Sequence, residues 1–426
     1  MQIINAENRD WKELFLANKI PIIISTLLVI TGATTAAVSD SIADGDKIVS
    51  GVNFEGVPLA GMNDVTAKNF LQNEAAKKMQ PLTFQYGEEQ FTINPAEIGW
   101  TPQIDKAVSE AQSYGRGGTF LQNLSSQLNT MSIKPQISLT ANFNEELLNQ
   151  KISEIAARID TQPVNAVVNL NGDDIEKIPG VIGKKLDQNK LAESLKEPLK
   201  NLTLNGAIQL EPEEIQPFIT TEDISQIDTI LGEYTTYYYP GNRGDNIWLA
   251  SSALSDKIVK TGWVFSFNDT VGPRSYAAGY YNAPVIVDGR AEDGVGGGVC
   301  QVSSTLYNAI LLAGLTSVER TPHYFPSSYV SAGRDATVAD DYLDFKFRND
   351  LNHPVYLKTY ASGSELTICV LGTRADLNGN TIAIETGGDR MNPTVYRVYY
   401  NNGQAVKEEY LHTDKYYSPK DFEDEQ

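Results

Sequence analysis

The sequence predicts a membrane-tethered, mixed α+β protein of several small domains. Three observations lead there: an uncharged apolar run near the N-terminus, a motif in the first half that echoes itself, and a glycine-led apolar helix in the second half. A chain of 426 residues with 41% hydrophobic and 21% charged side chains has enough apolar material for two or three ordinary cores. Its net charge of −20 argues against nucleic acid as a main partner, because such partners require clustered Lys and Arg. Two cysteines and three histidines, none clustered, are too few for a disulfide framework or a zinc site.

The apolar run, Ile20 to Val38, carries no charge. As helix, at about 1.5 Å per residue, it just crosses a hydrocarbon core of roughly 30 Å. Arg9, Lys12 and Lys19 precede it, and Asp40, Asp44 and Asp46 follow. That asymmetry places the N-terminus in the cytoplasm and the bulk of the chain outside the cell membrane. A retained single-pass anchor over residues 1–45 is favoured over a cleaved signal, whose apolar core is usually shorter.

Residues 46–218 read as tandem modules. A short strand, a turn at Gly61 and a helix entered near Asn63 or Asp64 come first. Then PAEIG (Pro95–Gly99) and PGVIG (Pro179–Gly183) each follow a strand-like segment and precede a helical run, which suggests two related α+β units. No nucleophile motif or titratable cluster occurs here, so this half reads as a binding or spacing module. An acidic stretch with Pro212 and Pro217 links it to the next domain, residues 219–372. That domain opens with a Tyr-rich strand, a turn at Pro240-Gly241 and a helix from about Asp245. Tyr234, Tyr237, Tyr238 and Tyr239 could stack sugars or simply pack on a sheet.

The chemistry is concentrated in GVGGGVCQVSSTLYNAILLAGL, Gly294 to Leu315. Val302, Leu306, Ala309, Ile310 and Ala313 recur at helical spacing, which puts Cys300 in the first turn of a buried helix. The partial positive charge there favours a thiolate, and amides around Gly298, Val299 and Gln301 can hold an oxyanion. A nucleotide loop would need Lys-Ser/Thr after the glycines, where this chain has Val-Cys-Gln. The alternatives for Cys300 are a packed structural thiol or a disulfide to Cys369, which itself lies in a strand pattern. His323 in ERTPHY is the candidate base, with Asp335 in GRDATV to orient it and Asp344 as second choice. His353 and His412 read as surface residues. Arg274, Arg320 and Arg334 could hold a substrate carboxylate, and Ser303 and Tyr307 on the Cys300 helix are further substrate-binding candidates. Residues 373–426 contain alternating runs around Asn402-Gly403, a hairpin signal, and read as an appendage without chemistry.

FSFNDTVGPR, the GGGVCQ segment, ERTPHY, GRDATV and DYLDFKFRN occur in that order over about Asn242 to Gly372, and together they resemble the VanW domain. The half before it is similar to the peptidoglycan-binding domains that often precede VanW domains. The resemblance implies an L,D-transpeptidase that makes 3–3 cross-links, with Cys300 as nucleophile and His323 at the family's histidine position. It implies peptidoglycan stem peptides and glycan as partners, and no metal or organic cofactor. The chain departs from the usual pattern at Thr261 and Trp263 before FSFN, and at Tyr324 after the histidine. The competing expectation is a non-catalytic wall-binding scaffold in which Cys300 is structural. Oligomeric state is not legible.

Overall fold

The computed structural model describes residues 46–418, except 173, 288, 289 and 341. The expected anchor over residues 20–38 therefore lies outside the described residues. Among the described residues no helix is long and apolar enough to cross a membrane. The architecture is mixed α+β, divided into two compact units. One takes the chain up to Thr161 and Lys184–Glu214, and the other takes Gln162–Gly183 and the chain from Ile215 on.

The first unit begins with helix α1 (Asp64–Lys78), whose N-cap Asn63 accepts the Thr66 amide. A hairpin of β1 (Leu82–Tyr86) and β2 (Glu89–Ile93) follows, then α2 (Ile104–Ser113), α3 (Phe120–Ile133) and α4 (Glu145–Ile159). The hairpin of β3 (Val167–Asn171) and β4 (Asp174–Ile178) departs into the second unit. The chain then returns for α5 (Gln188–Asn201) and β5 (Ala207–Gln209), which adds parallel to β1. Phe84, Ile98, Trp100, Leu148 and Leu199 sit in its core.

This partition departs from the tandem repeat read in the sequence, because the strand before the second echo belongs to the other unit. The echoes themselves also differ. Pro95–Ile98 forms a 3₁₀ turn, closed by a capping box between Asn94 and Glu97 and ended by Gly99 in the left-handed region. In the second copy Val181 stands where Glu97 would be, so no carboxylate can close the turn. That segment stays extended and bridges Val164 instead.

The second unit is built on a four-stranded antiparallel sheet of β6 (Thr229–Tyr237), β7 (Lys257–Val259), β13 (Val355–Ser362) and β14 (Glu365–Gly372), in the order β6-β14-β13-β7. Between these strands the chain forms α6 (Asn242–Leu254), β8 (Val264–Ser266), the hairpin β9 (Asn282–Val287) and β10 (Arg290–Val295), α7 (Val299–Leu312), β11 (Thr316–Glu319) and β12 (Lys346–Arg348). Helix α6 begins three residues earlier than its apolar spacing suggests. Gly241, at φ 117°, ends the preceding turn and serves as N-cap. The helix that carries Cys300, α7, is buried along nearly its whole length and packs on β6. Gly232 in β6 permits that approach, since a Cβ there would lie 2.3 Å from the Ala309 carbonyl oxygen. Three C-terminal strands, β15 (Thr381–Gly388), β16 (Pro393–Asn401) and β17 (Gln404–Thr413), form a further sheet. Asn402 and Gly403, both at positive φ, make the expected two-residue turn between β16 and β17.

Candidate active site

The site starts from three glycines. Gly296 and Gly298 take φ of 82° and 110°, conformations that favour glycine. Gly297 lies so close to β9 that a Cβ would meet the Ala283 carbonyl oxygen at 2.6 Å. Asn246, fully buried on α6, pins this turn: its Nδ2 donates to the carbonyls of Gly297 and Tyr281, and its Oδ1 accepts the Tyr281 amide. The chain leaves the turn directly into α7 and delivers Cys300 at the second helical position. Cys300 is half-buried rather than sealed, and neither it nor Cys369 is in a disulfide. Cys369 is buried in β14 with its thiol donating to Glu233 at 3.2 Å. Burial together with that carboxylate pushes the Cys369 thiol far up, which leaves it unreactive.

The structure brings Cys300, His323 and Asp335 together. His323 Nδ1 lies 2.5 Å from Asp335 Oδ2, and the His323 backbone amide donates to the same oxygen at 2.7 Å. With Nδ1 committed to the carboxylate, Nε2 is the nitrogen left to act on the Cys300 sulfur, which lies close enough to feel the imidazole and donates to the Val338 carbonyl at 3.4 Å. Burial opposes a charge on either group. The neighbouring imidazole and its positive charge outweigh it at Cys300, with help from Arg274, and the thiol falls below its ordinary value. Burial also opposes a charge on His323, but Asp335 and the sulfur prevail and lift it to about 9. Asp335, despite its burial, is held at about 2 by His323 and Arg320. The two shifts, thiol down and imidazole up, both favour the thiolate–imidazolium form of the pair over the neutral one.

Around this triad the other sequence candidates divide. Arg274 is 8% exposed, paired with Asp340 at 2.8 Å and bonded to Asn268 Oδ1. It borders an open cleft of about 560 Å³ that also has Asp340, Asp344, Glu319 and Lys346 in its walls. Arg320 is buried and spans Asp335 and Asp414, so it is a brace for the triad carboxylate rather than a free carboxylate-binding group. Arg334 donates to Asn308 and lies over the Tyr234 ring at 5.0 Å. Ser303 is fully buried, donating to the Ala336 carbonyl, and the Tyr307 hydroxyl is engaged with His412 Nε2 at 2.7 Å. Neither Ser303 nor Tyr307 faces a ligand, because both lie on the buried side of α7. Asp344 accepts the amides of Asn268 and Phe345 and takes no part in the triad. His353 is partly exposed and pairs with Asp376, whereas His412 is tied into the interior by Tyr307. At the helix start the Val299 and Gln301 amides are occupied by the carbonyls of Gly296 and Gly298, at 3.1 and 3.0 Å. The Gly298 and Cys300 amides have no acceptor among the described residues.

Three contributors have no signature in the sequence. Tyr329 places its hydroxyl 3.5 Å from His323 Nε2, and burial beside the Cys300 charge keeps that phenol protonated. Tyr416, beyond β17, donates its hydroxyl to Asp335 Oδ1 and accepts the Gly333 amide at 2.8 Å. Asp414 pairs with Arg320 at 2.6 Å. The C-terminal segment, expected to be an appendage, thus completes the support of the triad carboxylate.

The geometry and the comparisons with known proteins agree on the region. Residues 242–371 match the family described as "VanW like protein", and residues 91–204 match the "Putative peptidoglycan binding domain". The chain is 38% identical over 222 residues to the Bacillus subtilis protein YoaR, covering 51% of this chain and 71% of that one. The chain belongs to the VanW-like family. It is also 26% identical over 175 residues to the Enterococcus faecalis vancomycin B-type resistance protein VanW, covering 40% of this chain and 58% of that one. A weaker likeness, 25% over 214 residues, is to a UDP-N-acetylmuramoylalanine–D-glutamate ligase of Thermosipho melanesiensis, 46% of whose length is covered. No solved structure matches. The VanW-like domain with a preceding peptidoglycan-binding domain makes this a cell-wall-associated protein. Asp414 and Tyr416, which brace the triad, lie outside the matched VanW-like stretch.

Proposed function

We propose that the protein is an extracytoplasmic, cysteine-dependent peptidoglycan L,D-transpeptidase that forms 3–3 cross-links and is held at the membrane by residues 20–38. The observation that carries this reading is the triad: a partly accessible Cys300 paired with a His323 whose other ring nitrogen is fixed by Asp335. The Cys300 thiolate attacks the carbonyl carbon of the third residue in a donor stem tetrapeptide. The resulting oxyanion is held by the Gly298 and Cys300 amides, with the positive end of α7 behind them. The carbon–nitrogen bond to the terminal D-alanine then breaks, and the imidazolium gives its proton to the departing amine. An amine from a neighbouring stem adds to the thioester and passes a proton to His323. Collapse expels the thiolate and leaves a new amide. The energy of the old amide is retained in the thioester, so no nucleotide is consumed.

The peptidoglycan-binding match over residues 91–204 supports a role in gripping wall polymer while the triad acts. Purified stem peptides test the reading. Cys300→Ala abolishes 3–3-linked dimers and Cys369→Ala retains them. Dimers that persist in the Cys300 variant would instead leave the protein as a wall-binding scaffold.

A further inference from the structure

Helix α3 (Phe120–Ile133) is turned inside out. The side chains it buries are Gln127 and Thr130, which bond to the Gly115 and Ser50 carbonyls. The apolar ones point outward: Phe120 is 59% exposed, Leu121 74%, Leu128 42% and Met131 41%. At about 100° per residue, these four and the half-buried Leu124 fall within one arc of roughly 100°, while Ile133, also exposed at 66%, lies outside it at the C-terminal end of the helix. The helix contains no charged residue, in a chain of net charge −20. Its flanks are basic, with Arg116 before it and Lys134 as its C-cap. A soluble surface helix has the opposite pattern, and a contiguous apolar stripe of this kind marks a surface that is covered in use.

The place of the helix in the chain indicates what covers it. Thr130 bonds to Ser50, and Gly51 packs directly on the Thr130 carbonyl, so α3 sits beside the first described residues. From Val38, the end of the uncharged run, to Ser50 the chain is about a dozen residues, which reach at most ~40 Å even when extended. We propose that the outward face of α3 lies in the outer leaflet interface of the membrane that anchors the chain. Phe120, Leu121, Leu128 and Met131 would enter the headgroup–acyl boundary, while Arg116 and Lys134 meet anionic headgroups. This rests on the membrane-anchored reading above. It fixes the orientation of the first unit on the bilayer.

The test uses the full chain, reconstituted into phosphatidylglycerol–phosphatidylethanolamine vesicles. In a Cys300→Ala background, which removes the one accessible thiol, a nitroxide is attached to Leu128→Cys or, as control, to Asn129→Cys, about 100° round the helix and off the apolar arc. Flotation reports the anchor, and collision with oxygen against a water-soluble nickel chelate reports depth. The expected result is flotation with the Leu128 label in lipid and the Asn129 label in water. Flotation with both labels in water overturns the helix contact and leaves the anchor standing. Spin–spin coupling between Leu128 labels of two copies overturns it in favour of a self-association face. No flotation removes anchor and helix contact together.

Discussion

At the residue scale the chemistry turns on a charge balance. His323 is raised to about 9 and so is protonated below that pH, while the Cys300 thiol is lowered and so is ionised below the ordinary thiol range. Acyl transfer, which needs both the thiolate and the imidazolium, therefore plateaus between these limits and falls as pH rises through about 9. Alkylation by iodoacetamide needs only the thiolate and keeps its rate above pH 9. Replacing His323 by Gln removes the favourable charge and leaves the burial, so the thiol rises. Each unit by which the thiol then stands above the assay pH lowers the thiolate fraction, and with it the alkylation rate, about tenfold. Tyr416→Phe removes one donor from Asp335 without opening a cavity. The carboxylate then becomes more basic and more attractive to the imidazolium proton. A pH–rate profile of stem-peptide coupling should show its alkaline limb displaced upward, with a loss of rate of about tenfold from the loosened geometry. An unchanged profile would make Tyr416 a packing residue only.

At the element scale the glycine turn before α7 is the feature most exposed to substitution. A methyl group on Gly297 meets the Ala283 carbonyl oxygen at 2.6 Å, backbone against backbone, so the turn must shift. Gly297→Ala is expected to cost about 1–3 kcal/mol of stability and to slow Cys300 alkylation. Gly403→Ala at the β16–β17 turn meets no atom within 4 Å and strains only a positive φ, costing about 1–2 kcal/mol with reactivity retained. Thermal unfolding and alkylation of the two variants separate the effects. The sequence made α7 and the place of Cys300 legible, because the apolar spacing and the glycine stop act locally. His323 and Asp335 were legible as well, since each lies in a compact motif. The destinations of Arg320, Ser303 and Tyr307 were not. A guanidinium or hydroxyl reads the same whether it faces a ligand or Asp414, Ala336 or His412, and only the packing of distant segments decides between them.

At the scale of the whole molecule, the second unit exceeds the stretch that matches its family. The C-terminal sheet contributes buried Arg397, which donates to the Leu315 carbonyl at 2.7 Å, and the segment after it contributes Asp414 and Tyr416 to the triad's support. A chain ending at Asn380 keeps all three triad residues but loses these partners. It is expected to unfold several degrees lower and to alkylate at Cys300 more slowly, which differential scanning calorimetry and timed labelling would show. The same long range explains why the sequence assigned this segment no role. Tyr416 and Asp335 are joined by a contact across 81 positions, with no motif to announce it. The departure of the β3–β4 hairpin from the first unit has a related reason: whether a hairpin stays with its neighbours depends on the surface it finds, here the core around Ala166, Val168 and Tyr356.

The most direct test is intact-mass analysis of the protein mixed with a donor stem tetrapeptide and no acceptor amine. The expected product is a tripeptidyl adduct on Cys300, formed with release of D-alanine, removed by hydroxylamine and absent from Cys300→Ala. A folded protein whose Cys300 alkylates readily yet never carries that adduct would contradict the proposed mechanism.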